Sequence, residues 1–385
     1  MQQDFDIAIL GGGPTGSALA LLLARVTSAP ERIVLLQSDS SSQYGHRPEL
    51  DPRVLAVNHG SRVLLESLGA WPQQAASIQN IHVSQRGRLG RTLIRHHDFD
   101  VPALGYVVRY GQLHAKLAQA VQASGVRVSS GAAAHVLEQD QNEVRLEQGA
   151  LTFRSKIAIQ ADGSPDAETT RSYTQVALLA RARASLPRVG WAFERFTQEG
   201  PLAVLPHPDA PGEQSIVWCC TPEHAQALID STPEHFSKAL THMFGSRLGE
   251  LLVQGPVASV PLTMTLHSNP LNGRCATIGN ASQTLHPVAG QGLNLGLRDA
   301  AALAIALREW VVRPEHSPSE ALETFVRLRA PDRQVTARLT DLLARVFTTK
   351  WPVVEHAAGL ALLSMDLLPV LRAPLARHLL QGLRL

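Results

Sequence analysis

Cysteine is scarce: three residues in 385, Cys219, Cys220 and Cys275, with two adjacent and none at metal-ligand spacing. That excludes a disulfide framework and points to a reduced, cytoplasmic setting. An excess of either charge is also missing. The 35 basic and 33 acidic residues leave a net charge of +2, so no global field draws nucleic acid or anionic lipid. No stretch reaches the roughly 18–20 apolar residues of a bilayer span. The nearest, 300–307 and 359–363, are short. No basic region precedes the first apolar run, 5–10, which therefore does not read as a secretory signal. Sixteen histidines are present, yet none pairs beside a carboxylate in a metal-like pattern. His96-His97-Asp98 comes nearest and reads as a loop, so no metal is expected.

What is present is a globular composition, 44% hydrophobic and 18% charged, at a length that suggests two units or one with a large insertion. The first 37 residues read as strand, glycine turn, helix and strand. Residues 112–122 carry Leu113, Leu117 and Val121 on one helical face. Strands are expected at 81–84, 126–128, 143–146, 157–161 and 275–278, and a mostly strand-like stretch over 176–260 with a helix near 233–244. A long helix is expected from about 292 to 310, with helices rich in Leu and Arg beyond it. The pattern is an α/β nucleotide-binding domain interrupted by a β-rich insertion and closed by helices. The expected division is a discontinuous first domain (1–75, 100–175 and 265–310), a β-rich domain (76–99 and 176–264) and a helical region (311–385).

Three motifs carry chemistry. Gly11, Gly13 and Gly16, with Pro14, form a G-x-G-x-x-G between the first strand and helix. Its glycines permit a tight turn and close backbone approach to a pyrophosphate, which the helix N-terminus then faces. The acidic residue expected on the ribose about 20 residues later is replaced by Gln37, with Asp39 two positions on as the other possible partner. Asp162-Gly163 ends a strand, where an Asp can accept a bond from a ribityl or ribose hydroxyl. The third motif is the longest: Gly279-Asn280-Ala281, then His286-Pro287-Val288-Ala289-Gly290-Gln291-Gly292-Leu293-Asn294, continuing to Asp299. Its glycines let a backbone lie flat on a planar ring. The helix that follows aims its positive end at whatever lies in front, such as the N1–C2=O edge of a reduced flavin.

With these motifs in this order, the chain resembles the class A flavin-dependent aromatic hydroxylases, which have the fold of para-hydroxybenzoate hydroxylase. The 286–299 string is similar to the signature of the UbiH/UbiF/Coq6-type hydroxylases of ubiquinone biosynthesis, the UbiH branch above all. The segments Ile81–Gly87, Ala192-Phe193-Glu194-Arg195-Phe196-Thr197, Gly200–Ala203 and Ile216–Cys219 support that branch. The resemblance implies a Rossmann-like FAD-binding domain with an inserted β-sheet substrate domain and C-terminal helices. It implies that Gly11, Gly13, Pro14 and Gly16 hold the FAD pyrophosphate, with Arg53 near the cofactor. Asp162 and Gly163 would be a second contact, and Gly279 and Asn280 would lie at the ribityl–pyrophosphate. Pro287, Ala289, Gly290, Gln291, Gly292, Leu293 and Asn294 would line the isoalloxazine. NAD(P)H would supply electrons, and one atom of O2 would enter the ring of a polyprenylated phenol while the other leaves as water. For the UbiH branch the substrate is 2-polyprenyl-6-methoxyphenol, hydroxylated at ring C1. No second G-x-G-x-x-G is visible, which fits transient docking of the nicotinamide.

Smaller features are weighed on the same terms. His286 is the one side chain offered for a direct catalytic role, although a histidine beside a turn is usually structural. Glu194 and Arg195 are expected as an exposed cross-strand charge pair, with one of them facing the pocket as the alternative. Trp191, Phe193, Phe196 and Trp218 suit either a substrate cavity or a core. Residues 351–385 suit packing on the FAD domain, contact with a membrane surface, which a prenylated substrate would favour, or docking of a partner such as another ubiquinone-biosynthesis protein. Other functions compatible with the motifs are a sister ring hydroxylase, a flavin-dependent isoprenoid reductase and a non-catalytic FAD-binding subunit.

Overall fold

In a computed structural model, residues 2–39, 51, 53–163, 170–266, 269–284, 290–347 and 351–381 are described. Strand Gln2–Leu10 lies parallel between Ile33–Ser38 and Leu151–Gln160 at the centre of an eight-stranded sheet. Arg127–Gly131 extends the sheet in parallel on one side and Cys275–Thr277 on the other. Alternate residues supply two cores, as a sheet buried on both faces requires. Ile7, Ile9, Ile157 and Ile159 pack with helices Pro14–Ala24 and Gln291–Ala306. Ala8, Leu10, Val34 and Phe153 pack beneath Val144 and Leu146 on the opposite face. The two helices approach so closely that a Cβ on Gly296 would lie 2.5 Å from Thr15 Oγ1.

A second eight-stranded sheet runs Gln283–Thr284, Leu251–Leu266, Thr170–Ala184, Glu213–Cys220, Pro201–Pro206, Trp191–Phe196, Asn80–Gln85, Arg91–Arg95. Asn80–Gln85 joins Trp191–Phe196 in parallel register, so a segment from early in the chain completes a sheet made late in it. One face is covered by helices Pro222–Ile229 and Pro233–Phe244, where Phe193 meets Phe244 edge-on at 5.3 Å and Trp218 meets Phe236 at 6.0 Å. Trp218 is thus core. Phe196 points to the other face and stacks on Phe347 at 3.9 Å. A three-stranded sheet, Val54–Asn58, Gly105–Arg109 and Ala76–Ile78, bridges the two large ones.

The expected helix over 292–310 is two pieces, Gln291–Ala306 and Arg308–Val312, parted at Leu307. Helices Ser319–Val346, Pro352–Leu367 and Pro369–Gln381 follow. The edge strand Arg91–Arg95 is covered by the second of them: Leu93 N–H donates to Asp366 Oδ1 at 2.9 Å and Thr92 Oγ1 to the Leu362 carbonyl at 2.6 Å. Among the described residues no single helix is long and apolar enough to cross a membrane.

Candidate active site

The glycine loop is crowded inside and bare outside. A Cβ on Gly11, whose φ is +117°, would lie 2.5 Å from Asp162 Cα, and one on Gly16 would lie 2.1 Å from the Gly11 carbonyl oxygen. At Gly13 nothing lies within 4 Å of that position. The helix Pro14–Ala24 starts there with proline in its first turn, no acidic residue and no side-chain cap. An uncapped helix start behind an open glycine is the donor set a pyrophosphate needs.

Around this loop the chain assembles one cavity of about 1450 Å³. Gly11, Gly13, Pro14, Arg53, Asp162 and Gly163 line its first part. Asn280, Gly290, Gln291, Gly292, Leu293 and Asn294 line the next. The structure therefore brings together motifs separated by nearly the whole chain. Gly16 and Gly279 stand one layer behind. Gly279 packs on Thr15 and donates its N–H to Asp299 Oδ2 at 3.2 Å. His286, Pro287, Val288 and Ala289 lie outside the described residues.

Gln37, not Asp39, lies against the loop. A Cβ on Gly12 would touch Gln37 Cβ and Oε1 at 2.8 Å, and Gln37 Nε2 donates to Ser130 Oγ at 2.6 Å. Asp39 is exposed. Arg53 is fixed by the buried Asp51 (Nε–Oδ1 2.9 Å) and lies 4.0 Å over the Tyr110 ring. His114, one turn on from Tyr110, also lines the cavity, and burial keeps its imidazole neutral below the usual range. Sequence reasoning missed Tyr110 and His114; only their position one turn apart beside the buried Leu113 and Leu117 hinted at a common inward face.

The second helix start is stapled to its neighbour. Gly290, at φ +58°, precedes Gln291–Ala306, again with no side-chain cap. Asn294 Oδ1 accepts the Asn58 N–H at 2.9 Å, and its Nδ2 donates to the carbonyls of Ala56 (3.0 Å) and Gly290 (2.8 Å). Asn294 thus shapes the turn at Gly290 through its side-chain amide. A Cβ on Gly290 would strike Ala56 Cβ at 2.9 Å.

The cavity continues under the open face of the second sheet, past Ile81, Val83, Ala177, Leu179, Ala203 and Val217. Leu343, Leu362, Met365, Ala376 and Leu380 close it from the C-terminal helices. Here the expected exposed pair Glu194–Arg195 is corrected. Adjacent strand residues point to opposite faces. Glu194 faces the cavity, while Arg195 turns to the helices and donates to the Met243 carbonyl at 3.1 Å. Burial pushes the Glu194 pKa up to about 8.

One trio among the described residues, Glu199, Cys220 and His224, brings three donor atoms within 4.8 Å. His224 Nδ1 already bonds Glu199 Oε2 at 2.6 Å, and burial pushes the Cys220 thiol up to about 12. A protonated thiol beside a histidine already hydrogen-bonded to the carboxylate makes a poor metal centre.

The model of a known family, described as "FAD binding domain", matches residues 4–340. The chain belongs to that family. Its relatives include the ubiquinone hydroxylase UbiL of Rhodospirillum rubrum, 29% identical over 99% of this chain and 90% of that one. They include the 3-demethoxyubiquinol 3-hydroxylase of Escherichia coli, 28% identical over 98% and 99%. Among solved structures, PqsL of Pseudomonas aeruginosa, a probable FAD-dependent monooxygenase, superposes with a TM-score of 0.73 at 19% identity, covering 93% of this chain and 100% of that one. The protein is an FAD-dependent aromatic monooxygenase of the UbiH/UbiF/Coq6 type, with the para-hydroxybenzoate hydroxylase fold. The open Gly13 and the two uncapped helix starts fit FAD.

Proposed function

We propose that this flavin hydroxylase acts on 2-polyprenyl-6-methoxyphenol in ubiquinone biosynthesis, placing a hydroxyl on ring C1, para to the existing one, with NAD(P)H and O2 as co-substrates. The observation that carries the reading is one continuous cavity of about 1450 Å³, which joins the glycine loop and the helix start at Gly290 to a largely apolar chamber. The names of the UbiL and 3-demethoxyubiquinol 3-hydroxylase relatives support the pathway.

In this reading FAD, held by the residues from Gly11 to Asn294 that line the first part of the cavity, supplies the electron and oxygen chemistry when bound. The chain supplies position, dryness and charge. The uncapped amides that open Gln291–Ala306, with the positive end of that helix, favour negative charge on the pyrimidine edge of the ring. The chamber under the second sheet excludes water from the reacting carbon. Residues 1–75, 100–175 and 265–310 form the cofactor domain, 76–99 and 176–264 the substrate roof, and 311–385 the closing helices.

The isoprenoid tail leaves between those helices toward a membrane surface. Their outer faces expose Trp351 (73%), Val353 (79%) and Val370 (82%), while Leu362 and Met365 on the same elements line the cavity. Deleting the gene and identifying the accumulating precursor by mass spectrometry tests the assignment. Accumulated 2-polyprenyl-6-methoxyphenol supports it. A precursor already hydroxylated at C1 would move the protein to a different ring position.

A further inference from the structure

The wall beneath the second sheet is apolar around Glu194, although Thr92, Arg181, Glu213, Ser215 and Gln254 also line the cavity. Glu194 stands mid-strand with Ala192 and Phe196 on its face, and its register partners are Val83 on one side and Ala203 on the other. Beyond Ala203 come Val217 and then Leu179. The residue as a whole is half-buried because it borders the cavity, yet its Oε1 is enclosed and has no hydrogen-bond partner among the described residues.

Buried carboxyl oxygens are otherwise satisfied, and leaving one bare costs stability that an apolar residue here would not. A group kept in that state and turned into a cavity awaits a ligand atom. No neighbour claims it. Arg195 is turned away to Met243. Across the sheet, burial and then Glu194 itself hold the Cys219 thiol protonated. Arg372, reaching the cavity from the C-terminal helices, is held by the Leu93 carbonyl at 2.7 Å and Asp98 at 2.8 Å. At the far end of the cavity Glu213 is paired with Arg181, and His207 lies beside Asp209.

We propose that Glu194 is a substrate-binding residue that takes the phenol's ring hydroxyl in a hydrogen bond and so fixes which ring carbon is turned toward the flavin. This rests on the hydroxylase reading above. As the neutral acid, Glu194 both donates to and accepts from a phenol hydroxyl; as the carboxylate, it accepts the phenol O–H and draws electron density onto the ring. The side chains next to Glu194 are apolar, and the buried Ser215 Oγ, also without a partner among the described residues, is a neutral hydroxyl and a weaker one, so the carboxyl is the contact that sets the ring's orientation. The raised pKa of about 8 agrees with a site that holds no cation against the carboxyl.

The test uses FAD-loaded protein and two ligands, 2-methoxy-6-(3-methylbut-2-enyl)phenol and its O-methyl ether, with binding measured by equilibrium dialysis. The wild-type protein should prefer the phenol roughly ten- to hundredfold. Glu194→Leu, with FAD content and melting temperature checked, should bind both ligands alike. Glu194→Gln keeps one hydrogen bond and should retain part of the preference. In the wild-type protein the preference should change as pH rises through about 8, and in Glu194→Gln it should be flat. If Glu194→Leu does not fold, the Glu194→Gln profile decides. A phenol preference in Glu194→Leu equal to wild type, or the same pH profile in Glu194→Gln, would overturn the proposal and leave the hydroxylase reading intact. Wild-type protein that binds neither ligand sinks both.

Discussion

Arg329 donates through Nε to Asp299 Oδ1 at 2.7 Å, and both side chains are 1% exposed. The other oxygen of Asp299 accepts the Gly279 N–H at 3.2 Å. Arg329 Nη1 also reaches Asp332 Oδ2 at 2.5 Å, and Asp332 holds Arg298 at 3.0 Å. A buried ion network thus fastens the turn Gly279–Ala281 to helix Gln291–Ala306, using a guanidinium from the C-terminal region.

Asp299→Ala leaves Arg329 buried with half its partners and frees the Gly279 amide. Breaking a buried pair from one side costs about 3–5 kcal/mol. Urea denaturation should show that loss, and the purified protein should carry less flavin by its absorbance. Unchanged stability would mean that water or Asp332 replaces the pair.

Gly13 and Gly16 should separate binding from folding. Gly13→Ala meets empty space, so stability should move by no more than about 1 kcal/mol. FAD affinity, followed by flavin fluorescence, should still fall at least roughly tenfold because the methyl group occupies the pyrophosphate's place. Gly16→Ala collides with the Gly11 carbonyl and should not yield soluble folded protein at wild-type levels. A Gly13→Ala variant with wild-type affinity would remove that glycine from the cofactor site.

Two buried groups give stability opposite pH slopes. His82 is depressed to about 4, chiefly by burial and then by Arg247, so the folded protein holds it neutral. Its contribution is complete above about 6.5 and is lost as pH falls through about 4, on the order of 3 kcal/mol in all. Glu194 is raised to about 8, so the folded protein holds its proton while the unfolded chain releases it above about 4.5. That contribution is complete below about 4.5 and is lost as pH rises through about 8. Urea midpoints from pH 4 to pH 9 should show His82→Phe flattening the acid side and Glu194→Gln the alkaline side. Parallel curves for wild type and variants would contradict the assignment.

Replacing Trp351, Val353 and Val370 together by serine should cut co-sedimentation with phosphatidylethanolamine–phosphatidylglycerol vesicles at least roughly fivefold. Turnover of a short-chain, water-soluble phenol should be unaffected. Equal vesicle binding by both proteins would assign the apolar outer faces of these helices another purpose.

The glycine loop and the 290–294 string were legible because tight turns leave only glycine as a choice, and their spacing survives in the sequence. The helix expected near 233–244 opens on Thr232-Pro233-Glu234, and Thr221-Pro222-Glu223 carries the same signal: each Thr hydroxyl accepts an N–H three residues on. The earlier one was passed over because its helix is only eight residues long inside a strand-rich stretch. Strand Ala134–Gln139 is largely exposed, Leu137 at 53%, so no alternation marked it. Glu194 was misread for a different reason. Period-two alternation separates it from Arg195, but which face meets water depends on helices far along the chain. The Asp299–Arg329 contact spans 30 positions and two helices, and nothing local in either segment names its partner.

The register that sets Asn80 beside Trp191, from far later in the chain, has a consequence for biosynthesis. A ribosome releases residues 80–95 as a hairpin with both rims bare, and the Asn80–Gln85 rim stays open until the distant strand has been made. Long-range pairing of this kind slows folding and leaves a sticky edge in the meantime. A chain stalled or truncated before residue 191 should therefore aggregate through that hairpin.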